Sequence, residues 1–215
     1  MDKSISLSDV KQFFRENVHK TNQLKGFNSF VAPHAKYEYQ ADLFYVKYLQ
    51  NQSYTIGMLM VDIFTKYMVV VPIKSTGNGD VAAGLIECLK KMGGKPEILY
   101  FDGETTIRTS VAIDRYLKEQ NIKLIITLTS AWFAERCVRT FKHALSQRIE
   151  NSKDPNIQWT DFIYEILLTY NNKTKHSVTK FTPTEAREQS NELNVKLNLL
   201  MHKQHTTLNF QLVTK

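Results

Sequence analysis

The stretch Ser130-Ala-Trp-Phe-Ala-Glu-Arg-Cys-Val-Arg-Thr-Phe-Lys142 decides how the chain is read. Glu135 opens a helical pattern, and Arg139 and Lys142 follow four and seven residues later. On an α-helix these three side chains stack on one face. A carboxylate above two cations is a poor packing surface. It suits a metal ligand at the head of a phosphate-binding track, with Arg136 flanking. The plain alternative is a solvated helix face with i,i+4 charge support.

Upstream of that helix the chain alternates like a sheet. Residues 38–48 are aromatic-rich and alternating, 54–63 more apolar, and 67–73 apolar again, so each reads as a strand. The short connections between them imply an antiparallel meander. Residues 80–92 have helical spacing, with Asp80 as candidate N-cap and Gly93-Gly94 as the stop. A strand at 97–101, a helix at 109–120 and a strand at 122–126 imply parallel pairing by a crossover. Residues 127–134 read as a loop before the Glu135 helix.

Downstream, residues 159–170 form an amphipathic helix pattern with Phe162, Ile166 and Leu167 inward, and Thr182-Pro183 marks a helix start. The expected organisation is an N-terminal helix (8–17) and linker over 1–36, a catalytic core over 37–190, and a loosely held polar tail over 191–215.

The formal net charge of +7 favours polyanionic partners. No apolar run reaches bilayer length, and Met1-Asp-Lys-Ser-Ile-Ser6 lacks the apolar run of a signal peptide, so an intracellular protein without membrane contact is expected. Cys88 and Cys137 fit a reducing compartment and are too few for a repeated Cys-x-x-Cys zinc site.

Asp42 lies in the first strand, and Asp102 sits where the fourth stops before Gly103. The topology allows these two strands to be neighbours, with the Glu135 helix placing its acid against both. Three converging carboxylates repel unless divalent cations resolve the conflict, and oxygen donors suit Mg²⁺ or Mn²⁺. Asp62 competes with Asp42, since it too lies on a strand, and any strand-end Asp also serves as a cap or turn residue. Trp132 and Phe133 are either core residues or a base-stacking wedge. His143 and His176 read as surface or DNA-facing, and His202 and His205 lack metal partners.

Six segments share an order and spacing with a known family: Tyr39-Gln-Ala-Asp-Leu-Phe44, Val61-Asp-Ile-Phe-Thr-Lys-Tyr67, Phe101-Asp-Gly-Glu104, the helix Glu135-Arg-Cys-Val-Arg-Thr-Phe-Lys142, Tyr170-Asn171 and Thr182-Pro-Thr-Glu-Ala186. Over residues 37–190 the chain resembles the catalytic core of retroviral-type integrases, most closely those of Maverick/Polinton elements and virophages. The resemblance implies a ribonuclease-H-like α/β fold, a mixed five-stranded sheet flanked by helices.

It further implies that Asp42, Asp102 and Glu135 bind two Mg²⁺ or Mn²⁺ ions, with Asp62 outside the triad. The implied activity is 3′-end processing and strand transfer of element DNA into target DNA. Arg136, Arg139 and Lys142 are then the DNA contacts. The implied assembly is a homodimer, through the helices at 80–92 and 159–170, or a higher homo-oligomer in a host nucleus or viral particle. The alternatives are a non-catalytic DNA-binding or assembly module of the same fold and a structure-selective nuclease. Trp132, Phe133 and Cys137-Val138 depart from the family pattern, and neither its zinc-binding N-terminal module nor a C-terminal chromodomain or SH3-like module is evident.

Overall fold

The computed structural model describes residues 30–47, 49–102, 105–127, 131–152, 154 and 156–212. The expected helix at 8–17, His19, most of the linker, Gly103, loop residues 128–130 and the His205 side chain lie outside the described residues. Residues Val31–His202 form one compact unit.

Its centre is a sheet of β1 (Glu38–Tyr45), β2 (Ile56–Asp62), β3 (Met68–Ile73), β4 (Ile98–Asp102) and β5 (Lys123–Thr127), in the order β3-β2-β1-β4-β5. The β1-β2-β3 meander is antiparallel, and β4 and β5 add in parallel, as expected. Pro72 sits in edge strand β3, where a missing N–H is tolerated. Helices cover both faces. On one face α1 (Asn78–Met92) and α3 (Val111–Glu119) pack on Tyr39, Ala41, Met58, Met60, Leu99 and Phe101. On the other, α4 (Trp132–Asn151) and α5 (Ile163–Leu168) pack on Phe44, Leu59, Val61 and Val70.

Several local expectations change. Gly77, not Asp80, is the N-cap of α1; the Asp80 carboxylate instead accepts from the Ser75 hydroxyl at 2.6 Å. Gly93 ends α1 in the left-handed conformation at φ 65°, as its position implies. The helix expected at 109–120 is α3, and a separate short helix α2 (Thr105–Thr109) precedes it, because Ser110 caps a new start by accepting from the Ile113 N–H. The helix expected at 159–170 is a 3₁₀ turn, α5 and a π turn (Thr169–Lys173). The apolar residues of α1 turn into the chain's own core, and its outer face carries Ala83, Lys90 and Lys91.

Organised structure also continues past residue 191: α6 (Glu192–Leu212) buries Val195 and Leu199 against Ile63, Phe64 and Ala186. Among the described side chains, up to His202, the others are polar or, like Leu193, Leu197 and Met201, exposed, which hides the short buried stripe from a periodicity reading.

Two contacts tie the π-turn region to the sheet. The buried Asn171 side chain bonds both backbone groups of Met68, accepting from its N–H at 3.1 Å and donating to its carbonyl at 2.8 Å. An amide thus stands in for a further strand at the end of β3. His176 is half-buried and accepts the Val178 N–H at Nδ1. Burial, with Lys66, Arg136 and His202 nearby, pushes its pKa from 6.5 down to about 4.

Asn171→Ala leaves two buried backbone groups unpaired, so it is expected to cost about 2–4 kcal/mol in urea unfolding. His176 is neutral in the fold and charges in the unfolded chain below pH 6.5. Its contribution to stability is therefore complete above that pH and is lost as pH falls toward 4. Urea midpoints at pH 7.5 and pH 5 are expected to diverge less in His176→Gln than in the wild type.

Candidate active site

The site is set by strand register. β1 and β4 pair in parallel with Glu38 opposite Ile98, Tyr39 opposite Leu99, Gln40 opposite Tyr100 and Ala41 opposite Phe101. The next step sets Asp42 beside Asp102. Side chains alternate along a strand. Ala41 and Phe101 belong to the α1/α3 face, whereas Phe44 and Tyr100 belong to the α4 face. Asp42 and Asp102 therefore share the α4 face, and both are half-buried.

Helix α4 lies along β1 on that face. Near its start the Phe133 N–H donates to Gln40 Oε1 at 3.0 Å. Two turns later Phe141 meets Phe44, their ring centroids 5.5 Å apart, and Lys142 Nζ stands 5.8 Å from the Phe44 ring. Gln40 and Phe44 bracket Asp42, and Phe133 and Phe141 bracket Glu135. The half-buried Glu135 is thus carried over the strand that bears Asp42. The bracket is rigid at its far end, where the fully buried Trp159 packs edge-on against Phe44 and Phe141 and donates from Nε1 to the Tyr54 carbonyl at 2.6 Å. Phe44 in turn needs Gly57 beneath it: a Cβ there would lie 2.3 Å from its ring.

Asp62 is a different kind of acid. It pairs with Tyr39 and so lies on the α1/α3 face. It is 1% exposed, and it accepts from the Lys36 N–H at 3.2 Å, the Phe64 N–H at 2.9 Å and the Thr65 hydroxyl at 3.0 Å. Burial pushes its carboxyl upward against those hydrogen bonds. It is the anchor of the β2–β3 turn.

The oxygen-only donor set of Asp42, Asp102 and Glu135 fits a hard divalent cation in kind. In this structure, among the described residues, no three acid, histidine or cysteine side chains converge as the ligands of one ion. The register and the helix bring the three acids to one face without drawing their carboxylates to a point.

Arg136 and Arg139 are exposed on α4, and Lys142 is half-buried. Trp132 and Phe133 belong to the helix, not to the loop the sequence suggests, and they differ from each other. Trp132 is 53% exposed with the Arg136 guanidinium 5.8 Å from its ring, whereas Phe133 is half-buried. Lys66 escapes a sequence reading altogether. It is 6% exposed, its Nζ lies 4.2 Å from the Phe133 ring centroid, and burial pushes its pKa down to about 8. Its only signal in the sequence is a lysine in a tight turn.

No protein-family model matches the chain. The Retrovirus-related Pol polyprotein from transposon 297 of Drosophila melanogaster is 29% identical over 127 residues, 58% of this chain and 12% of that protein. The chain thus spans about 12% of the length of that curated relative. Among solved structures, the HTLV-2 integrase catalytic core domain in complex with magnesium, in trimeric and dimeric forms, matches with a TM-score of 0.62 at 18% identity, covering 73% of this chain and 99% of that one. The simian T-cell lymphotropic virus intasome in complex with PP2A regulatory subunit B56 gamma matches with a TM-score of 0.67 at 16% identity, covering 74% of this chain and 57% of that one. The likeness is one of fold: this chain has the ribonuclease-H-like α/β fold of the retroviral integrase catalytic core.

Proposed function

We propose that this chain is the catalytic core of a DNA integrase, a polynucleotidyl transferase that trims 3′ ends of element DNA with water and joins the 3′-hydroxyl to target DNA. The observation that carries this reading is the register that sets Asp42 beside Asp102 under the helix bearing Glu135. The fold and the partial match to a transposon Pol polyprotein support the same class.

Asp42, Asp102 and Glu135 would hold Mg²⁺ or Mn²⁺, two ions in the full reading, and the magnesium in the HTLV-2 core structures supports that choice of ion. Ions bound there would lower the pKa of the attacking water or hydroxyl and would offset charge on the leaving oxygen. The rest of the work is positioning by the chain itself. Arg136, Arg139 and Lys142 hold backbone phosphates and fix the duplex on the helix without reading bases. All three acids are half-buried.

The partners are double-stranded element ends and target DNA. The dimeric and trimeric HTLV-2 forms and the simian viral intasome support assembly into a homodimer or higher homo-oligomer. Among the described residues no helix is long and apolar enough to cross a membrane. Action in a host nucleus or carriage in a viral particle belongs to this reading, and the narrower kinship with Maverick/Polinton and virophage integrases rests on motif order alone. One observation favours a second reading, a DNA-binding module that keeps the fold without the chemistry: the three carboxylates do not converge as ligands.

A strand-transfer assay with Mg²⁺ or Mn²⁺ separates the two. The catalytic reading expects joined product, lost in Asp42→Asn, Asp102→Asn and Glu135→Gln while duplex binding and melting temperature stay near wild type. The second reading expects duplex binding and no product from any form. In fluorescence anisotropy, Arg139→Ala with Lys142→Ala is expected to weaken duplex binding alike on all sequences, and to reduce the slope of log K against log salt by about 0.9 per lost contact. An unchanged slope would place the phosphate track elsewhere, with the exposed Lys173, Lys175 and Lys180 the first alternative.

A further inference from the structure

The start of α4 has no cap of its own. Ala131 occupies the N-cap position and offers no side-chain hydrogen bond. First-turn N–H groups must then find partners elsewhere or fray. The Phe133 N–H finds Gln40 Oε1 at 3.0 Å. The Phe133 ring is held separately, wedged between two apolar clusters with the Lys66 ammonium 4.2 Å from its centroid.

Lys66 is an unusual residue to bury. It lies in the β2–β3 turn at φ 66° and is 6% exposed. Its ammonium donates to the Ile63 carbonyl at 2.5 Å. The nearby Asp62 oxygens accept instead from Lys36, Phe64 and Thr65. An uncharged side chain of similar length would fill the same space without the cost of burying an ammonium. The charge adds attraction to the nearby Asp62 carboxylate and, on the α4 side, to the face of Phe133, which is strongest where water is excluded.

We propose that Lys66 is a positioning residue for Glu135: its ammonium, seated on the Phe133 ring, acts with Gln40 to lock the first turn of α4 over Asp42. The inference rests on the integrase reading for its consequence, but its physical claim is separate. Glu135 lies two residues beyond Phe133, and its own N–H makes a helical bond to the Ala131 carbonyl at 3.0 Å. If the ring slips, the turn that carries the carboxylate loosens with it.

Hydrogen exchange on the full chain tests this without depending on activity. Lys66→Met and Phe133→Leu are expected to speed exchange of the Phe133 and Glu135 amides by about tenfold or more, while sheet amides such as Leu59 and Val70 stay at wild-type rates. Phe133→Tyr keeps the aromatic face and is expected to exchange like the wild type. In strand transfer, Lys66→Met and Phe133→Leu should lower turnover with duplex binding unchanged, and Phe133→Tyr should restore it.

Wild-type exchange at Phe133 in Lys66→Met would overturn the proposal. So would acceleration spread evenly over the sheet, or Phe133→Tyr behaving like Phe133→Leu. Should Lys66→Met fail to fold, the two Phe133 variants decide alone. A wild-type chain without strand transfer would sink the integrase reading and leave the exchange result standing.

Discussion

The parallel register of β1 against β4 is the constraint on which the site depends. Side chains alternate with a period of two, so a slip of one residue would send Asp102 to the α1/α3 face and leave Asp42 alone under α4. The register is held from both sides of the sheet. Tyr39, Ala41, Leu99 and Phe101 are all essentially buried on one face, and a one-residue slip of either strand would pull its pair out of that packing. On the other face Gln40 and Phe44 are tied into α4 at two points. The pairing of acids is thus a by-product of core packing, stabilised by burial far larger than any contact the acids themselves make.

The same logic separates the two aspartates that compete in the sequence. Asp42 and Asp62 both lie on strands, but antiparallel pairing gives them different faces. Asp42 is opposite Leu59, which packs under α4; Asp62 is opposite Tyr39, which packs under α1 and α3. Asp62 is enclosed and accepts from Phe64 and Thr65 of its own turn and from the Lys36 N–H ahead of β1. It shapes the hairpin that delivers Lys66 to the start of α4. The turn therefore touches the site through its lysine rather than through its acid.

Much of this was legible in the sequence because it depends on local pattern. Alternation in residues 38–73, the breaks at Gly77 and Gly93, and strand-helix-strand spacing gave the meander and the parallel additions. That the strands bearing Asp42 and Asp102 are neighbours was open to a topology reading; that both acids share the α4 face needs the register itself. Features that depend on distant partners were not legible. Trp132 and Phe133 look like loop residues before an acid; they are helical because Gln40, 93 positions away, supplies the missing partner. Lys66 looks like an exposed turn residue until Phe133 is seen against it. Helix α6 looks like a tail because, among its described side chains, Val195 and Leu199 are the buried ones and the exposed leucines blur the period.

Under the integrase reading, Asp42, Asp102 and Glu135 serve as one site on the α4 face. Anomalous diffraction from crystals soaked in Mn²⁺ decides whether they do. The expected result is a manganese peak ligated by Asp42 and Asp102 together, with the Glu135 carboxylate turned toward it. A fully occupied peak whose ligands exclude Asp42, or no peak at saturating Mn²⁺, would rule the shared site out.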